Sequence, residues 1–153
     1  LWTLHVDVGL PDGAVEAVLR YCRRAPRPWA SCPSRFAHPS WWLRFLECLT
    51  DGRARLFRLP YGDQGILVKR SLYDRVGGYA DVPLMEDVML ARALARYGNP
   101  GFLPVPLAVD ARRWRHYGVF RTNAKNALTL FRYFVLGHDP RALAAGYKRG
   151  DPE

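Results

Sequence analysis

Short apolar runs alternate with stretches of helical period along this chain, and that alternation limits the folds open to it. Residues 1–8 read as a strand, with Leu1, Trp2, Leu4 and Val6 apolar and the polar His5-Val6-Asp7 at its end. Pro11-Asp12-Gly13 is a turn in which Asp12 can cap a helix over Ala14–Arg24, whose Val15, Val18, Leu19 and Cys22 keep helical spacing. Residues 25–39, rich in Pro and Arg and anchored by Trp29 and Phe36, read as a loop or an irregular edge strand. A helix over residues 41–49 puts Trp42, Phe45, Leu46 and Leu49 on one face. Gly65-Ile66-Leu67-Val68 has the form of a buried strand, and Ser71 caps a helical turn that Gly77-Gly78 closes. An amphipathic helix follows from Glu86 to Tyr97, ended by Gly98. Residues 102–109 form a strand broken by Pro104 and Pro106, hence an edge. A last helix spans residues 119–136, and the tail after Gly137 reads as loosely held. The predicted class is α/β, a mixed sheet flanked by helices with a C-terminal helix.

With 153 residues, 49% of them hydrophobic and 13% aromatic, the chain can bury one core, and dominant disorder is excluded. Twenty-three Lys and Arg against 14 Asp and Glu give a formal net charge of +9. That charge invites an anionic partner: a phosphate-bearing small molecule, a nucleic acid or an acidic membrane surface. Lysine occurs only at Lys69, Lys125 and Lys148, so the excess is arginine, which binds phosphate bidentately but is also inflated by GC-rich coding. Cys22, Cys32 and Cys48 lack a C-x-x-C pairing and read as free thiols of a reducing, cytoplasmic compartment. No apolar run is long enough to span a membrane.

Four polar segments carry candidate chemistry. His5 and Asp7, two apart on a strand, share a face, and a carboxylate at a strand's C-terminal edge can hold Mg²⁺ or Mn²⁺ bound also to a diphosphate. The plain alternative is that Asp7 starts a turn. Tyr61-Gly62-Asp63-Gln64-Gly65 sets two polar side chains between glycines, so Asp63 and Gln64 can read sugar hydroxyls or simply form a tight turn. Glu86-Asp87 opens a helix, where acids match the dipole, but a carboxylate near a bound cation can also act as a general base. Asp110-Ala111-Arg112-Arg113-Trp114 offers arginines for a diphosphate and a flat ring for a sugar or base, or else a solvated basic loop with Trp114 as a core plug.

Taken in order, Leu4-His5-Val6-Asp7, Pro60-Tyr61-Gly62-Asp63-Gln64-Gly65, Pro83-Leu84-Met85-Glu86-Asp87-Val88 and Ala111-Arg112-Arg113-Trp114 resemble the family 2 glycosyltransferases. More narrowly they resemble the rSAM/selenodomain-associated transferase 2 subgroup, over residues 1–147. The resemblance implies the Rossmann-like GT-A fold and inverting transfer from a nucleotide-diphosphate sugar to an acceptor hydroxyl. It also implies that Asp7 coordinates a divalent metal, Mn or Mg, with His5 close by. Of the acidic pair, Asp87 would be the base and Glu86 would orient the acceptor or the base. Asp63, Gln64, Arg112, Arg113 and Trp114 would contact the donor or acceptor. Asp110 stands where processive relatives have Gln, so a processive polymer synthase is not implied.

The segment that holds the nucleotide in that family precedes the H-x-D strand, which here starts at residue 1. The expectation is a partial GT-A-like domain, residues 1–117 catalytic and 118–153 helical, belonging to a longer chain; a degenerate, inactive relative is the other option. A different class also fits the charge: a non-enzymatic basic module binding an anionic membrane or nucleic acid. Scattered charge and no nucleic-acid motif weigh against nucleic acid. Peripheral membrane contact would run through the last helix, where Phe131, Phe134 and Val135 meet Arg121, Lys125 and Arg132.

Overall fold

The computed structural model describes residues 1–24, 27–36, 40–110 and 119–147. These fall into two units, one of residues 1–80 and 87–110, the other of residues 81–86 together with 119–147. All strands among the described residues lie in the first. In chain order it holds β1 (Trp2–Thr3), β2 (Val8–Gly9), α1 (Ala14–Arg24), β3 (Trp29–Ser31), β4 (Ser34–Phe36) and α2 (Trp41–Phe57). A 3₁₀ turn (Gly62–Gln64), β5 (Ile66–Val68), α3 (Arg70–Arg75), α4 (Glu86–Ala95), β6 (Gly101–Phe102) and β7 (Leu107–Val109) follow. The first residue of α4, Glu86, groups with the second unit. The class is mixed α/β, with two mixed sheets flanked by helices rather than one sheet.

The first sheet has the order β1-β5-β3-β6, with β3 antiparallel to β5 and parallel to β6. The second has the order β2-β7-β4, with β7 antiparallel to β2 and parallel to β4. Three times the chain leaves the first sheet and enters the second within a few residues: at 4–7, at 32–33 and at 103–106. Pro33, Pro104 and Pro106 sit at two of these crossings, where a missing N–H and a fixed φ end a ladder. The crossings make a seam, and Cys32 N–H donates to Gln64 O (2.8 Å) beside it.

Period-two alternation gives the first sheet two buried faces. Ala30, Cys32 and Leu67 pack with Ala14 and Val18 of α1 and with Leu103, Val105 and Leu107. Trp29, Ile66 and Val68 pack on the other side with Leu72 of α3 and with Leu90 and Leu94 of α4. Trp29 Nε1 donates to Gly98 O (2.9 Å), which satisfies the buried indole.

Several expectations need correction. Residues 1–8 are two short strands, with His5-Val6-Asp7 in the turn between them. The Pro- and Arg-rich stretch contributes β3, an interior strand, because Trp29-Ala30-Ser31-Cys32 between its prolines is wholly buried. Pro104 and Pro106 divide the predicted edge strand into β6, an edge, and β7, the centre of its sheet. The fourth concerns α2, which runs on to Phe57 and turns the opposite face inward. Its buried positions are Leu43, Glu47 and Ala54, whereas Trp42, Phe45 and Leu49 are exposed.

The cause is a polar network. Strand β4 is an edge, and its Phe36 N–H donates to Glu47 Oε1 (2.7 Å). Arg44 donates to both oxygens of Glu47 (2.8 and 3.0 Å), and Arg35 donates to Asp51 Oδ2 (2.8 Å). Glu47 and Asp51 are the only carboxylates of α2, so its acidic side is committed to the strand edge.

In the second unit, α5 (Val119–Phe134) is joined by Tyr147 OH donating to Asn126 Oδ1 (2.8 Å) and by Lys125 Nζ over the Tyr147 ring (4.3 Å). The tail after Gly137 forms a further helix, α6 (Pro140–Gly146), which contradicts the loose reading. Asp139 caps it, accepting from Arg141 N–H (2.7 Å), and Pro140 occupies its first turn. Among the described residues no helix is long and apolar enough to cross a membrane.

Candidate functional site

Three pieces of chain meet at the seam: the turn after β1, the 3₁₀ turn before β5 and the start of α4. In the first, Val8 N–H donates to His5 O (3.2 Å), and the loop turns Val6 out to 97% exposure. His5 Nδ1 and Asp7 Oδ1 are hydrogen-bonded to each other, and both side chains are about half exposed. A turn, not a shared strand face, brings the pair together.

The 3₁₀ turn is closed by Gln64 N–H to Tyr61 O (3.0 Å) and Gly65 N–H to Gly62 O (3.1 Å). Gly65 has φ +57, and a Cβ there would press on Leu4, Leu107 and Trp2 at 3.0–3.2 Å, so glycine is required to enter β5. Gln64 is fully buried, and its amide faces the interior. Its Nε2 donates to Asp51 Oδ1, and its Oε1 accepts from Tyr61 N–H and Arg53 Nη2, all at 3.4 Å. Gln64 therefore sets the turn's shape rather than facing outward.

Gly62 touches both other pieces. Its N–H donates to Asp87 Oδ2 (2.7 Å), and the place of its missing Cβ lies 3.4 Å from that oxygen and 3.6 Å from His5 Cδ2. Val88 N–H donates to Asp87 Oδ1 (2.7 Å). Two backbone donors thus fix the carboxylate and leave each oxygen a further lone pair. Just before, Met85 takes φ +68, a left-handed conformation costly for a side-chain-bearing residue, at the entry to α4.

Asp63 sits beside Asp87 and His5. Burial pushes its carboxyl up to about 6; the Arg53 guanidinium pulls it down, and the Asp87 carboxylate adds to the rise. Its Oδ1 is buried and has no protein partner, a rare state for a carboxylate oxygen. Arg53 reaches in from α2 with its guanidinium 3.1 Å from the Tyr61 ring centroid. Burial also raises the Tyr61 phenol, with Arg53 opposing.

The structure thus joins Asp7, His5, Gly62, Asp87 and Asp63 in one contiguous chain of contacts and charges. Glu86 lies in the other unit. Arg112, Arg113 and Trp114 lie outside the described residues. Arg53 and Asp51 were not singled out from the sequence. The signal available for them was an acid and an arginine two residues apart in the helix that leads into the Tyr61–Gly65 turn.

Among the described residues no three His, Cys, Asp or Glu side chains gather as a metal-holding group. His5 and Asp7 do provide an imidazole and a carboxylate open to solvent, two donors suited to Mn²⁺ or Mg²⁺ if phosphate oxygens and water complete the shell. No protein-family model, no curated protein and no solved structure matches the chain.

Proposed function

We propose that the chain serves inverting glycosyl transfer from a nucleotide-diphosphate sugar to an acceptor hydroxyl, on a GT-A-like scaffold. The observation that carries this reading is the meeting of His5, Gly62, Asp63 and Asp87 at the seam between the two sheets. Each segment read alone is a local turn or cap, and it is their meeting that favours a shared site.

Asp87 is the base in this reading. Its carboxylate is held from two sides by N–H donors, so a lone pair keeps a fixed direction toward an incoming hydroxyl. That oxygen attacks the anomeric carbon as the bond to the diphosphate breaks, the proton passes to Asp87, and one displacement inverts the centre. Asp63, charge-coupled to Asp87 and His5, reads a sugar hydroxyl in the same reading. Gln64, Asp51 and Arg53 position the turn that carries it. His5 and Asp7 would hold a divalent ion, which when bound neutralises the leaving diphosphate. In the same reading Glu86 would orient the acceptor or the base, Arg112 and Arg113 would bind the diphosphate or the acceptor, and Trp114 would offer a flat face to a sugar or base.

The test is release of nucleoside diphosphate from a panel of sugar nucleotides with Mn²⁺, with and without hydroxyl acceptors. Expected is turnover that falls at least about 100-fold in Asp87→Asn. Turnover that survives Asp87→Asn, or none from any member of the panel, overturns the reading in favour of a binding module.

A further inference from the structure

One outward stripe of α2 is apolar along its length. Trp41, Phe45, Leu49 and Leu56 follow at four- and seven-residue steps, which keeps them on one stripe of a helix. Trp41 is 66% and Leu56 75% exposed, Phe45 and Leu49 are half exposed, and Trp42 stacks on Trp41 with centroids 3.7 Å apart. Folding has left the helix inverted: its acids face the protein and its aromatics face out. A continuous apolar stripe of this kind marks an interaction site.

We propose that this face of α2 rests on an anionic lipid surface. Charge selects the occupant. Both carboxylates of α2 point inward and are paired, so the charge left along the stripe is positive. Arg44 is paired with Glu47, but Arg55, its guanidinium 4.3 Å from the Phe102 ring centroid, borders the stripe and Arg58 follows its C-terminal end, both exposed. The chain as a whole carries +9. Exposed Trp, Phe and Leu flanked by arginine is the composition of a helix lying in the headgroup region, with indoles at the interface and guanidinium groups on lipid phosphates. A second copy fits less well. A two-fold pair of these stripes would bring the arginines of both copies together with no carboxylate to receive them.

The test uses the full 153-residue chain. Co-sedimentation is measured with vesicles of phosphatidylcholine alone and of phosphatidylcholine mixed with phosphatidylglycerol. Binding to the mixed vesicles, weakened by salt, is expected. Phe45→Ser/Leu49→Ser/Leu56→Ser should lose at least about tenfold in partitioning, and Arg55→Gln/Arg58→Gln about tenfold on mixed vesicles only. Unchanged circular dichroism in both variants excludes misfolding. Cys48, exposed on α2, supplies a second readout: its alkylation should slow several-fold on mixed vesicles while that of exposed Cys22 does not. The proposal is overturned if the wild-type chain ignores mixed vesicles, or if the triple Ser variant binds as well as wild type. It is equally overturned if binding is lost only in Phe131→Ser/Val135→Ser of α5, or if the wild-type chain is a dimer that the triple variant dissolves without any vesicle binding.

Discussion

Gly62 N–H and Asp87 Oδ2 are 2.7 Å apart, joining the turn before β5 to the first turn of α4. The same glycine lies against His5, so its hydrogen atoms, not a methyl group, line the gap between the imidazole and the carboxylate. A Cβ at residue 62 would make only ordinary contacts, 3.4 Å to Asp87 and 3.6 Å to His5, and no left-handed φ demands glycine there. Gly62→Ala should therefore cost less than about 1 kcal/mol of stability. It should nevertheless lower sugar-nucleotide turnover at least about tenfold, since the added methyl group fills the gap between imidazole and carboxylate that reacting groups would occupy. Urea unfolding and turnover measured on the same preparation separate the two effects. Equal losses in both would place Gly62 in the scaffold alone.

The Asp63 carboxyl makes stability fall as pH rises. In the folded chain burial holds its proton up to about 6, against 3.8 without burial. Between these values the folded state binds more protons than the unfolded state, so each step up in pH favours unfolding. The contribution is complete below 3.8 and lost above about 6. Two pH units correspond to at most about 3 kcal/mol. Asp63→Asn removes the titration. Its urea midpoint should match wild type near pH 4 and exceed it at pH 7. Midpoints that run parallel over that range would assign the pH dependence elsewhere.

The two faces of the sheet and the helix α1 follow directly from residue pattern. Val15, Val18, Leu19 and Cys22 predict a helix over residues 14–24, and the structure has Ala14–Arg24. Ile66-Leu67-Val68 reads as buried and is β5. The acidic entry to α4 and the glycines around Asp63 point to the residues that meet at the seam. What periodicity could not supply was sign. It finds the apolar stripe of α2 but cannot say that Glu47 and Asp51 will satisfy Arg35, Arg44 and the N–H of Phe36, which turns that stripe outward. Nor could local pattern show that Trp29-Ala30-Ser31 is interior. Its three residues are short of a recognisable strand, and only pairing with β5 and β6, distant in sequence, makes them one. His5 and Asp7 meet for the same kind of reason, a bend between sheets instead of a strand's alternation.

The three thiols should separate cleanly by reactivity. Cys32 is fully buried at the seam, and burial pushes its thiol up to about 12. Thiolate is the reacting form, so Cys32 should stay silent at pH 8. Cys22 and Cys48 are exposed. Titration with an aromatic disulfide reagent should find two fast thiols in the native chain and a third only in denaturant. A third fast thiol would mean that the β3 crossing opens far more readily than its packing allows.

Substitution along α2 tests which of its faces holds the fold. Leu43→Ala opens a cavity at a residue only 3% exposed and should cost about 2–4 kcal/mol. Glu47→Ala strips the acceptor from Phe36 N–H and leaves Arg44 without its carboxylate, for about 3 kcal/mol or more. Leu49→Ser, two residues further on, should change stability by less than about 0.5 kcal/mol, because its side chain already meets solvent. A helix oriented by its apolar stripe would give the reverse order, with Leu49→Ser the severe change and Glu47→Ala nearly neutral. Urea midpoints of the three variants decide between these orientations without reference to activity. The pattern also bears on lipid binding, since only a stripe that contributes nothing to stability is free to act on a surface.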